Sequence, residues 1–394
     1  MLISERMRQR LITTEECQPR GNQKTVCNSG MCAGCMACID ICPKSAITIA
    51  DCIDHMNALI DENRCIHCDL CHKVCQQNHP ASLAPTMECW QGWATPEVRC
   101  GSSSGGFASA IMRRFVNIGG VVAACRFNNG DFLFSIADDV NQLEGFAGSK
   151  YVKSNPSGIY GKVRAELASG KDVLFIGMPC QISSMRNYIG MTNGGRLLER
   201  LYTIDLICHG SPSIMVLKNA LSEYGININQ VSSIRFRQNI EWSLCVDEHP
   251  LVPRGCMDSY TTAFLHAACY TKNCYQCHYA TRERVGDLSL GDSWGTELKD
   301  EEPKGISLAL IQTEKGRELL HMSDLSLRSV DYENAVAHNH QLSAPSEMTK
   351  EVKAFFEIYK KTCSVKKATF VVFPKERLKQ LAKATLMHVG IIRK

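Results

Sequence analysis

Cysteine spacing is the strongest chemical signal in this chain of 394 residues, 22 of which are cysteine. Cys32, Cys35, Cys38 and Cys42, with Pro43 behind them, form one run; Cys65, Cys68, Cys71 and Cys75 repeat the spacing. Three thiolates at that spacing wrap three corners of a cubane with little backbone strain, and the fourth cysteine is aimed at the other cluster. The expected ligand sets are therefore Cys32, Cys35, Cys38 and Cys75 for one 4Fe–4S cluster and Cys65, Cys68, Cys71 and Cys42 for the other. Structural zinc also favours paired cysteines, but eight in two matched copies favour clusters. Gln76 stands where the second run would carry proline. Cys17, Cys27, Cys52, Cys89, Cys100 and Cys125 fall outside the spacing, and most of them read as buried inert thiols.

A second constellation is spread along the chain. The apolar run Asp172 to Ile176 leads to Met178, Pro179, Cys180 and Gln181, and Tyr202 to Ile207 leads to Cys208, His209 and Gly210. In an open α/β sheet, groups just past the carboxyl ends of strands gather on one rim. Cys274 and Cys277 add a pair, with Cys269 close by. Three readings stand: a third 4Fe–4S cluster on Cys180, Cys208, Cys274 and Cys277, zinc on the same set, or a redox thiol at Cys180 before a helix start. Cys269 is the reserve ligand.

Three stretches suggest an organic cofactor. Ser103, Ser104, Gly105 and Gly106 run into a helix whose first amides would be offered to a phosphate, although a ligand-free serine cap reads the same way. Lys150 and Tyr151 set a cation beside an aromatic ring, or merely begin an exposed strand. Asp292 lies in a turn between Gly291 and Trp294, where it serves the site or only fixes the turn. No catalytic proton donor is singled out.

The elements that must position these groups divide the chain into five parts. Residues 1–22 are a polar tail; 23–82 are a bacterial-type two-cluster ferredoxin domain, with short strands expected at Ala46 to Ile49 and Ala58 to Asp61. Residues 88–170 and 171–345 alternate strands and helices, and 346–394 form a helical, basic tail. The fold class is α+β for the ferredoxin domain, fused to a mixed α/β oxidoreductase domain. A helix is expected over Gly106 to Ile118, with Phe107, Ile111, Phe115 and Ile118 on one face. A hairpin is expected about Asn128 to Asp131, and a strand at Ile306 to Ile311 leading into a helix at Lys315 to His321.

Hydrophobic residues at 44% and charged residues at 21% match a soluble globular protein. A net charge of +4 gives no reason to expect nucleic acid. Met1 to Arg8 carry charges where a secretory signal would be apolar, so the expected location is the reducing cytoplasm, where dense cysteine reads as metal ligation. In the helix expected over Pro374 to Lys394, Leu378, Leu381, Leu386 and Val389 suggest an apolar side and Lys375, Arg377, Lys379 and Lys383 a basic one. At most, this tail makes peripheral membrane contact.

The ordered series Ser103 to Gly106, Gly148 to Tyr151, Gly177 to Gln181, Cys208 to Gly210, Cys274 to Cys277 and Gly291 to Gly295 resembles the coenzyme F420 hydrogenase/dehydrogenase beta-subunit family over about residues 88–330. With the ferredoxin block in front, the layout is similar to its stand-alone input subunit, which oxidises the reduced deazaflavin. The resemblance implies FAD, iron–sulfur clusters, and hydride exchange with coenzyme F420 or another small molecule. It also implies a redox partner protein such as ferredoxin. Met178 stands where the family usually has threonine. Clusters move one electron and hydride donors release two, so a flavin belongs between them. The alternatives are a ferredoxin-dependent reductase of a different substrate and a non-catalytic electron-transfer or redox-sensing module.

Overall fold

The computed structural model describes residues 11–12, 23–238 and 241–388. Cys17, Val389 and the end of the expected last helix lie outside them. The cysteine repeat is a repeat of backbone shape. Gly34 and Met36 have φ of 73° and 61°, and His67 and Asp69 have 55° and 63°. These are the second and fourth residues after the first cysteine of each run. Left-handed backbone is uncommon away from glycine, so the same two positions in both runs coil the chain the same way around its cysteines. Each coil ends in one short helical stretch, Ala37–Ile41 or Leu70–Val74.

Strand β1 (Leu11–Ile12), within the stretch 1–22 that the sequence suggests is a polar tail, lies parallel to β2 (Ile47–Asp51). β2 pairs antiparallel with β3 (Met56–Ile60), Ile47 opposite Ile60. Their buried side chains join a core that continues into the rest of the chain through Tyr160, Ile182 and Met185. The seam is also hydrogen-bonded: the Asp40 carboxylate accepts from Gly158 N at 2.8 Å, and Tyr160 Oη reaches Cys35 O and Ser184 Oγ.

The body is built on β4 (Glu88–Ala94), β5 (Val121–Asn128), β6 (Asp131–Ala137), β7 (Val173–Gly177) and β8 (Leu201–Leu206). A small separate sheet holds β9 (Ile234–Gln238), β10 (Glu241–Val246) and β11 (His249–Pro250), after which β12 (Leu288–Asp292), β13 (Ser307–Ile311) and β14 (Leu325–Ser329) complete the large one. Its order is β14-β4-β13-β12-β8-β7-β5-β6. β12, β8, β7 and β5 run parallel; β13 is antiparallel to both β12 and β4. The carboxyl ends of β4, β5, β7, β8 and β12 therefore share one rim. β7 and β13 are buried along their whole length, as strands covered on both faces must be.

The helix expected at Gly106 to Ile118 spans Phe107–Asn117 and buries Phe107, Ile111 and Phe115. Ile118 departs from that face: it caps the helix and is exposed. The three C-terminal helices are Lys350–Thr362, Val365–Val372 and Pro374–His388. In the last of them Lys375, Lys379 and Lys383 are exposed as expected, but the expected apolar side is not the one that is buried. Leu378 and Leu381 are 56% and 49% exposed, whereas Arg377 is 6%. Arg377 Nη1 donates to Met257 O at 2.7 Å and Gln380 Oε1 accepts from Met257 N at 3.0 Å. The loop beneath has backbone groups that need partners, and apolar side chains would leave them unpaired. Among the described residues no helix is long and apolar enough to cross a membrane.

Candidate redox site

Cys32, Cys35, Cys38 and Cys75 line a single cavity of about 300 Å³, and all four are buried. Gly34 N donates to Cys32 Sγ at 3.4 Å. Burial pushes the Cys35 thiol up to about 12, with Cys75 and Cys32 adding to it, and raises Cys38 well above its ordinary range. Thiols so placed ionise only if a cation compensates them, which is the service iron performs.

Two neighbours of this cavity escape sequence reading. Cys27, outside the repeat, lines it as well. Interaction with the Cys32 and Cys75 sulfurs, together with burial, pushes the Cys27 thiol well above its ordinary range, and the same interaction lowers Cys32 and brings Cys75 down to about 7. Gln76 is buried in the wall, where its Oε1 accepts from Tyr279 Oη at 2.8 Å and its Nε2 has no partner. An amide at this position reaches across the seam, which proline would not do.

The second set sits at the surface. Cys65 Sγ accepts from His67 N at 3.4 Å and Cys42 Sγ from Ala46 N at 3.3 Å. Burial raises Cys71 to about 11, with the charges of Cys42 and Cys65 adding to it. Cys68 is exposed, beside exposed Ile66. Cys38 feels the charge of Cys71, so the two sets are neighbours.

Cys180, Cys208, Cys274 and Cys277 line one cavity of about 560 Å³, a volume that includes the space open to solvent at its mouth. β7 and β8 are adjacent and parallel, with Phe175 opposite Thr203. Cys180 in the first turn of the helix Pro179–Gly190 and Cys208 beyond β8 therefore share the rim. The stretch Lys272–Gln276 brings Cys274 up from below. Gly210, at φ 133°, is required here, because a Cβ would stand 2.3 Å from the Tyr270 ring. Burial raises Cys180, and raises Cys208 to about 12, contrary to the activated thiol that a redox role at Cys180 needs. Cys269 is fully buried among Tyr260, Phe264 and Tyr270 and does not line the cavity.

Among the described residues no three His, Cys, Asp or Glu side chains are gathered tightly enough to hold a single metal ion. Tetrahedral zinc, with Zn–S near 2.3 Å, would need its thiolates roughly 4 Å apart. Four thiols set around a cavity fit a 4Fe–4S cube with one thiolate on each of its four irons.

Beyond this cavity the rim carries the remaining candidates. Asp292, at the end of β12, is held by Arg237 of β9 through two hydrogen bonds of 2.6 and 3.0 Å. The guanidinium lies over Trp242 and Trp294, at 4.9 and 5.4 Å, and Arg237 Nη1 is 3.5 Å from Tyr151 Oη. Tyr151 and Asp292, distant in sequence, are thus linked by an arginine whose role no motif announces. His209, beside Cys208, has its pKa lowered by burial against the pull of Asp292.

Ser103 Oγ accepts from Ser149 N at 2.9 Å. Ser104 Oγ donates to Ile306 O at 3.0 Å, the same carbonyl that Ser293 N reaches at 2.9 Å. The three candidate stretches are therefore knit together. Gly105 owes its identity to packing, since a Cβ would lie 2.3 Å from Gly92 O. Gly106 starts the helix at φ 89°, and no side chain caps the first amides. Lys150 Nζ donates to Phe146 O and Ala147 O at 2.6 and 2.9 Å, and burial lowers its pKa to about 8.

Residues 170–331 match the family model that describes the C-terminal part of the coenzyme F420 hydrogenase/dehydrogenase beta subunit. The match contains Cys180, Cys208, Cys274, Cys277 and Asp292, and excludes both cysteine runs and the Ser103 and Lys150 stretches. No curated protein matches the chain. Among solved structures, a chain of the F420-reducing NiFe hydrogenase complex from Methanosarcina barkeri aligns at 16% identity and a TM-score of 0.48. The alignment covers 66% of this chain and 91% of that one.

Proposed function

From the match of residues 170–331 to the C-terminal model of the coenzyme F420 hydrogenase/dehydrogenase beta subunit, we propose that the chain is a member of that family and an iron–sulfur flavoprotein oxidoreductase. It exchanges hydride with coenzyme F420 or another small organic substrate and passes the electrons singly, through three 4Fe–4S clusters, to or from a partner protein such as ferredoxin. The observation that carries this reading is the order of the cysteine sets. Exposed Cys68 marks the outer set. Cys38 and Cys71 link it to the buried inner set, and Cys35 and Cys180 link that set to the rim. A partner protein would meet the outer set beside Ile66, and a small molecule would meet the rim. Twelve candidate thiolate ligands suit a reducing cytoplasm.

FAD, when bound, supplies the exchange between a hydride and single electrons. The uncapped first turn at Phe107, with Ser103, Ser104, Gly105 and Gly106 before it, suits a phosphate. Lys150 has one donor of its three beyond the two carbonyls it serves. Tyr151 and Asp292, joined through Arg237, would orient the ring system beside His209, and the Trp242 and Trp294 faces would keep water from it.

Anaerobic protein should be titrated with reduced F420 while flavin absorbance and cluster EPR are followed together. Bleaching of a flavin band with the appearance of reduced-cluster signals is the expected result. Protein that carries clusters but neither holds FAD nor responds to reduced F420 would refute the hydride half of the proposal.

A further inference from the structure

A lysine outside every motif stands between the buried inner cysteine set and the half-buried rim set. Lys153 N donates to Pro212 O at 2.9 Å, which fastens it to the turn after Cys208. Its ammonium donates to Ala33 O at 3.0 Å, between Cys32 and Cys35. The residue is 4% exposed and lines the cavity of Cys180, Cys208, Cys274 and Cys277. An ammonium has three donors, and this one has a single carbonyl acceptor. Among the described residues no carboxylate pairs with it. Asp51, whose charge it feels, is held by Ser213 Oγ at 2.6 Å and Ile53 N at 2.9 Å.

A desolvated ammonium is costly unless negative charge compensates it. Burial works against the charge of Lys153, and the sulfurs of Cys274, Cys180, Cys32 and Cys208 more than offset it. Lys153 is thus placed to answer negative charge on both cavities at once.

We propose that Lys153 is the electrostatic positioning residue of the relay, a fixed positive charge between the inner and third clusters that favours the reduced form of each. This rests on the reading that both cysteine sets hold clusters. Transfer from one to the other oxidises the first by one electron, reduces the second by one, and moves no proton. The reduced form carries one more negative charge, so a nearby cation stabilises it. Over roughly 10 Å at an effective dielectric of about 20, that charge is worth about tenfold in each reduction equilibrium, or about 59 mV for a one-electron couple.

The test is an EPR-monitored potentiometric titration of the holoprotein and of its Lys153→Gln and Lys153→Arg variants. Gln keeps a donor for Ala33 O without the charge; Arg keeps the charge. With Gln, the inner and third midpoints should fall about tenfold in equilibrium while the outer cluster is unmoved, and Arg should hold the original values. Iron loss from Gln but not from Arg would also support the charge. Unmoved midpoints with Gln, equal shifts with Gln and Arg, or iron loss from both would make Lys153 a packing residue and overturn the proposal. A wild-type count near eight irons would instead refute the third cluster, while the inner midpoint would still report on Lys153.

Discussion

Arg237 and Asp292 form a two-bond ion pair, at 2.6 and 3.0 Å, on the sheet rim beside the set of Cys180, Cys208, Cys274 and Cys277. The arginine side chain is 2% exposed and the aspartate 21%. Removing one partner takes the counter-charge from a largely buried charge, at a cost of about 3–5 kcal/mol. Arg237→Met and Asp292→Leu should each lower the thermal midpoint, and the double variant should recover part of the loss, giving a favourable coupling. Unfolding scans on all four proteins check this. Additive losses would mean that the pair does not act as a unit.

The proposed flavin site predicts a definite pH dependence of FAD binding through Lys150. Burial lowers its pKa to about 8, and a phosphate is held by the protonated form. Binding an anion raises that pKa, so affinity should be constant below about pH 8 and weaken as pH rises through it. Lys150→Met should bind more weakly and lose this dependence. Flavin-fluorescence titrations from pH 6.5 to 9.5 read both, and a pH-independent affinity in the parent protein would remove Lys150 from the site.

Cys27 and Cys38 border the same cavity but should respond differently to substitution. Cys27 lies outside the ligand spacing and its thiol is pushed well up beside Cys32 and Cys75, so Cys27→Ala should keep the iron. Cys38→Ala should lose about four irons. Colorimetric iron assays on anaerobic protein separate the two, and equal losses would make Cys27 a ligand.

The last helix offers a stability contrast. Arg377 is buried against Met257 O and Thr262 Oγ1, so Arg377→Met should cost about 2 kcal/mol by leaving buried acceptors unpaired. Leu378→Ser, at an exposed position, should stay within about 0.5 kcal/mol. Urea melts of both variants test which side of this helix is buried.

What the sequence disclosed here follows from the range over which each signal acts. The repeat carries its own geometry, so Cys32, Cys35, Cys38 and Cys75, grouped by spacing, line a common cavity. Parallel strands ending in Cys180 and Cys208 were legible because apolar runs and the turns after them are local. Arg237 and Lys153 were not, because each acts through partners far along the chain. Cys27 lacked any spacing to mark it, and Gln76 was visible only as a missing proline. Arg377 misled for a related reason: helical periodicity shows an apolar stripe, but not that the surface beneath it presents unpaired backbone groups.

The three-cluster relay stands or falls on the metal held by the rim set. Iron, zinc and acid-labile sulfide should be measured on anaerobic protein beside a Cys274→Ala/Cys277→Ala variant, with EPR of the reduced samples. We expect about twelve irons in the parent and about eight in the variant, with the ferredoxin-type signals unchanged. Zinc in place of that iron, or about eight irons in both proteins, would contradict the relay.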